Sequence, residues 1–203
     1  MNKIQNIFSE SETPAQYVKS YLNYLSEVFE KIDVQKVAEF IEHLQDAREK
    51  GSTVYFIGNG GSAATASHFA NDLAIGTRCP EKPFKVVSLT DNNAVMTAIA
   101  NDFGYDNLFV SQLEVLLKPE DTVVAISASG NSPNIVKALE YCKKIGSKTV
   151  GISGFDGGKL KEMSDLNLHV PSQKGEYGPV EDLHMIFDHV VGTYLSLWVK
   201  TQN

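Results

Sequence analysis

Apolar residues in the first quarter of the chain recur at intervals of three and four: Val18, Tyr21, Leu22, Leu25, Val28, Phe29 and Ile32, then Val37, Phe40, Ile41 and Leu44. That spacing is the period of amphipathic helices. Thr13-Pro14 opens the first as cap and first-turn proline, Asp33 caps the second, and Gly51 ends it. Residues 1–12 are polar and predict a frayed end. Beyond Gly51 the pattern changes to short β-rich runs at 54–57, 84–89, 122–127, 149–153 and 166–170. Helical segments follow them: an alanine-rich one after 58–62, one capped by Asp91 and reaching about Ala100, 107–117, 134–145, a short one after Gly158, and 179–200.

Strands that alternate with helices predict a parallel sheet covered on both faces, with ligands gathered at the carboxyl ends of the strands where strand order reverses. The two leading helices have no sheet of their own to cover. They form a hairpin (1–51) belonging to the same domain as 52–203, packed on that domain or on another subunit, and the width of their apolar face predicts oligomerisation. Composition changes this picture little: 203 residues, 42% hydrophobic and 21% charged, is ordinary for a globular protein. A formal net charge of −7 with scattered Lys and Arg argues against a nucleic-acid surface. Cys79 and Cys142 lack CxxC spacing, no run approaches a membrane span, and the N-terminus has no basic, apolar leader, so the expectation is a reduced, cytoplasmic protein without membrane contact.

Two loops carry candidate chemistry. The first strand stops at Gly58-Asn59-Gly60-Gly61-Ser62, where glycines allow close backbone approach and Ser62 can cap the next helix; the third stops at Ser127-Ala128-Ser129-Gly130-Asn131-Ser132. Either is readable as turn and cap residues alone. Two of them after two strands of one sheet favour an anion pocket of backbone N–H groups and hydroxyls at helix N-termini. Neither matches GxGxxG or GxxxxGK[ST]. His68 and Asp72 share a helix face at the spacing that can hold one metal or share one proton. On the last helix Glu181, His184 and Asp188 fall within roughly 60° of one another at 100° per residue, while His189 is about 80° from Glu181 and ~12 Å along the axis, which makes His184 a rival ligand. His169, the Tyr17, Tyr21 and Tyr24 cluster and Trp198 read as structural, and nothing argues for reactivity at Arg78 or Cys79.

Gly58–Ser62, Asn101-Asp102-Phe103-Gly104, Ser127–Ser132, Gly154–Gly158 and the Glu181–His189 helix, in that order, resemble the sugar isomerase (SIS) domain family, and within it the phosphoheptose isomerases. The resemblance covers nearly the whole chain. It implies a three-layer αβα sandwich with a five-stranded parallel sheet, flavodoxin-like, assembled as a homotetramer with active sites between subunits. It also implies conversion of sedoheptulose 7-phosphate to D-glycero-D-manno-heptose 7-phosphate for the heptose of bacterial surface polysaccharides. By position, Ser127, Ala128, Ser129 and Ser132 would hold the phosphate; Asn59, Gly60, Gly61, Asn101 and Asp102 would line the sugar beside Ser62 and Glu181. His68, Asp72, Glu181 and His189 would hold one zinc ion per subunit. Asp72 would act as base and His189 as acid, with Glu181 as substitute base, passing a proton through an enediol while zinc polarises the carbonyl.

Three positions depart from the family pattern. Glu is usual at Asp72, Gln at Glu181, and a hydroxyl residue at Ala128. A shorter carboxylate draws the base back by about one bond, and misplacement on that scale can cost ~100-fold in rate; the added carboxylate at Glu181 redistributes ligands. Some SIS tetramers bind proteins such as the replication initiator DnaA and do not catalyse, and others could sense a sugar phosphate. Four metal-capable side chains favour the enzyme.

Overall fold

The computed structural model describes residues 1–202. Five parallel strands form one sheet in the order β2-β1-β3-β4-β5: β1 Thr53–Gly58, β2 Lys85–Ser88, β3 Thr122–Ser127, β4 Lys148–Ser153 and β5 Leu166–His169. Parallel strands need crossovers, and helices provide them: α4 Gly61–Asn71, α5 Asn93–Asp102, α6 Val110–Leu116, α7 Pro133–Ile145 and α8 Gly158–Met163. Strand order reverses between β1 and β3, so the loops after these two strands diverge to opposite faces and leave a crevice between them.

Alternation along the central strands divides the core. Val54, Phe56, Val124 and Ile126 face a layer that includes Phe69 of α4, Phe40 and Leu44 of α3 (Val34–Lys50), Tyr24 and Val28 of α2 (Pro14–Phe29), and Leu183 and Phe187 of α9 (Tyr177–Trp198). Tyr55, Ile57, Val123 and Ala125 face Ile99, Leu113, Ile135, Leu139 and Leu160 on the other side. This is the expected three-layer architecture, with the helical hairpin packed into the first of the two cores. Thr13 with Pro14, Asp33 and Gly51 take the capping roles read from their types, Gly51 with a left-handed φ of 68°. Several boundaries move by a residue or a few: the Asp91 cap falls to Asn92, whose side chain accepts from Val95 N–H, and 107–117 begins as a short 3-10 turn, Tyr105–Asn107, before α6.

The frayed N-terminus is a correction. Residues Lys3–Glu10 form α1, opened by an Asn2/Gln5 capping box and held by buried Ile7. Its anchor is distant in sequence: the buried Glu176 carboxylate accepts from Lys3 N–H (2.8 Å), Tyr24 O–H (2.6 Å) and Gln173 N–H (2.8 Å). Hydrogen bonds to a buried charge are the costly ones to lose, and Tyr24→Phe is expected to lower stability by about 1.5–3 kcal/mol in urea unfolding.

Candidate active site

The turn after β1 is tighter than side chains allow. A Cβ on Gly58 would lie 2.5 Å from the Ser62 carbonyl oxygen, and Gly60 takes φ 53° as the residue before α4. Gly60 therefore holds the N-cap position expected of Ser62, which is instead buried within the first helical turn. Asn59 is fixed by a reciprocal amide pair with Asn134 at the start of α7 (2.9 and 2.8 Å), and its oxygen also accepts from Tyr105 O–H at 2.8 Å. Asn134 is almost fully buried, so this pair ties the β1 turn to the β3 turn across the reversal point. By sequence alone Asn134 reads only as the start of a helix.

The β3 turn is likewise built on close backbone approach. Gly130, at φ 63°, lies so near Gly157 that a Cβ would be 2.0 Å from its carbonyl oxygen. Gly130 N–H is held by Ser127 Oγ (3.1 Å), Gly130 O accepts from Leu160 N–H (2.9 Å), and Ala128 O accepts from Gly154 N–H (3.1 Å). Ser129 is half-buried, and Ser132, the N-cap of α7, makes no side-chain cap bond. Asn101 and Asp102 end α5, exposed and joined by a 2.7 Å hydrogen bond.

The third feature is a pair of helices running side by side in the same direction. The Glu181 carboxylate, early in α9, occupies the space beside Gly61, the first residue of α4: a Cβ there would be 2.7 Å from Oε2. Further along, His68 Nε2 lies 3.5 Å from Asp72 Oδ2 and 3.6 Å from Asp188 Oδ2, and the His68 and His189 rings are 5.3 Å apart. At the far end Gly192 faces Asp72. Asp72 begins a π-helical turn, Asp72–Gly76, that extends α4, and its Oδ1 accepts from Asn71 Nδ2 at 3.0 Å.

One ligand atom from each of His68, Asp72, Asp188 and His189 falls within 4.8 Å of the others, a donor set of imidazole and carboxylate able to hold a metal ion. Three of the four expected ligands meet here. Glu181 does not: eight positions, about 12 Å of helix, before His189, it sits at the turn after β1, and Asp188 takes its place in the group. A carboxylate inside the apolar run Met185-Ile-Phe-Asp-His-Val-Val191 was the signal available for it. Burial, then the charge of Asp72, pushes Asp188 up to about 7, with His189 acting in the opposite direction.

His184, the rival ligand, is fully buried outside the group, with Nε2 3.2 Å from the Ser153 carbonyl, to which it donates. Burial pushes it from 6.5 down to about 4. Its neutral form is held in the fold while the unfolded chain protonates near 6.5, so its contribution is complete above that pH and is lost as pH falls toward 4. The change corresponds to about 3 kcal/mol. Urea titrations from pH 7 to pH 4 should show that loss, and the difference from His184→Asn isolates it from the carboxylates.

Known proteins share this fold. The SIS domain family model matches residues 16–154. The phosphoheptose isomerase of Aliarcobacter butzleri is 37% identical over 168 residues, covering 77% of this chain and 88% of that protein. The chain belongs to the phosphoheptose isomerase family of SIS domains. A second phosphoheptose isomerase, from Helicobacter pylori, is 38% identical over 77% of this chain and 81% of its own. The structure of the phosphoheptose isomerase from Neisseria gonorrhoeae superposes with a TM-score of 0.81 at 28% identity, covering 90% of this chain and 98% of that one. The SIS family match begins inside α2 and ends after β4, so it takes in the hairpin helices together with the first four strands.

Proposed function

We propose that the protein is a sedoheptulose 7-phosphate isomerase, forming D-glycero-D-manno-heptose 7-phosphate for surface-polysaccharide heptose, in the cytoplasm and as a zinc-loaded homotetramer. Family membership supports the reaction. The tetramer is supported by apolar side chains left exposed on α2 and α9, among them Val18, Leu22, Phe29, Val190, Tyr194 and Leu197. Among the described residues no helix is long and apolar enough to cross a membrane, and both cysteines are free and buried.

The observation that carries the reading is the pairing of α4 with α9, which sets a free carboxylate, Glu181, over the β1 turn and gathers His68, Asp72, Asp188 and His189 further along the same two helices. In this proposal Ser127, Ser129 and Ser132, with the backbone N–H groups around Ala128, grip the phosphate. Asn59, Gly60, Gly61, Ser62, Asn101 and Asp102 face the sugar hydroxyls. His68, Asp72 and Asp188 would hold zinc, with the exposed His189 on the open side, and zinc when bound supplies Lewis-acid polarisation of the carbonyl.

Asp72, the first choice as base, accepts from Asn71 Nδ2 and is one of the ligands in the group of four, so the carbon-bound proton falls to Glu181. Glu181 takes a proton from C1 of the ketose, the C–H pair becomes the C1–C2 double bond, and the C2 oxygen accepts a proton from His189. Glu181, once its proton has exchanged with solvent, delivers a proton to C2 as His189 recovers one from O1, leaving the aldose. Incubation of the zinc-loaded protein with sedoheptulose 7-phosphate in D2O should give the aldose with deuterium at C2 by NMR. No aldose would remove the reading; aldose without deuterium would show that the proton taken from C1 reaches C2 without exchanging with solvent.

A further inference from the structure

We infer that Asp188 is the buried anchor of the metal centre, occupying the ligand position that the family resemblance assigned to Glu181 and leaving Glu181 free for proton transfer; this rests on the reading of the group as a metal site. Asp188 is 0% exposed, and neither carboxylate oxygen has a hydrogen-bond partner among the described residues. An isolated buried carboxylate is among the most expensive groups in a fold unless a cation or donors meet it.

The protein groups present do not meet that need. His68 Nε2, at 3.5 and 3.6 Å from Asp72 and Asp188, is beyond good hydrogen-bond length from either. A single Nε2–H also cannot serve two carboxylates, and His68 is 44% exposed. The separations suit a shared cation. With metal–ligand bonds of about 2.0–2.1 Å, neighbouring ligands of a tetrahedral ion stand about 3.3–3.4 Å apart. Two carboxylates balance a divalent charge, whereas Glu181, at the other end of the helix pair, is outside this geometry. Three protein ligands, one imidazole and two carboxylates, leave a position for a substrate oxygen, the arrangement of catalytic zinc.

The test is Zn2+ binding to the wild-type protein, Asp188→Asn and Glu181→Ala, read by chelator competition and by the zinc-induced rise in Tm. Expected are one Zn2+ per chain in the wild type, affinity within a few-fold of that in Glu181→Ala, and a loss in Asp188→Asn exceeding the ~10–100-fold that removal of an outer-shell partner produces. Zinc-free Asp188→Asn should unfold at or above the wild-type temperature, because the amide removes an unpaired buried charge, and should lose most of the zinc-induced rise. Wild-type affinity in Asp188→Asn, or an equal loss in Glu181→Ala, would overturn the assignment while leaving the metal reading standing; no Zn2+ on the wild type would overturn both. A crystal of the wild type soaked in Zn2+ tests it without a variant: an Asp188 oxygen within about 2.0–2.2 Å of the ion supports the anchor, and Glu181 in its place overturns it.

Discussion

Glu181→Gln is expected to lower kcat for sedoheptulose 7-phosphate isomerisation by about 10²–10⁴, the usual contribution of a positioned acid or base, with KM changed only a few-fold. Gln keeps the length of the side chain over Gly61 and removes its ability to take a proton. The same variant should lose deuterium incorporation in step with turnover, because both need the C1 proton. Asp72→Asn should behave differently, losing zinc along with activity, since Asp72 faces His68 inside the group of four. Steady-state kinetics and zinc content measured on the two variants separate the roles. If Glu181→Gln turned over at the wild-type rate, the carbon proton would have to move through another group.

Gly130→Ala should be the most damaging single methyl group in the chain for stability. At φ 63° an L-residue is strained by about 1–3 kcal/mol, and a Cβ 2.0 Å from the Gly157 carbonyl, with Gly157 C at 2.7 Å, forces backbone and not a flexible side chain to move. Overpacking adds about 1–3 kcal/mol, for a total of roughly 2–6 kcal/mol in urea unfolding. The displaced segment contains Ser127, Ser129 and Ser132, so whatever protein remains folded should also show a raised KM for phosphorylated substrate. Gly146→Ala makes the control: φ is 82° there, yet nothing lies within 4 Å of the added carbon. It should cost only the backbone strain and leave KM unchanged.

The limits of pattern reading are visible in particular residues. Glu176 reads as one polar residue in a loop, yet it is the buried acceptor that orders α1, and its partners Lys3 and Tyr24 are more than 150 positions away. Asn134 looks like an early helix residue until the β1 turn is brought beside it. Asp188 lies on the same arc of α9 as Glu181 and His184, and helical phase cannot separate the three: one sits at the β1 turn, one is buried on the Ser153 carbonyl, and one faces His68.

What the chain encoded locally was the set of elements: periods of two and of three to four, the Thr13, Asp33 and Gly51 signals, the two Gly/Ser turns, and through them the family. These depend on contacts within a few residues, where side-chain type and spacing suffice. Which carboxylate joins His68, and which is left to move a proton, was decided only when α4 and α9 packed side by side. Burial and charge proximity are properties of two helices at once, and the position of one along the other is set by the sheet between their sequences.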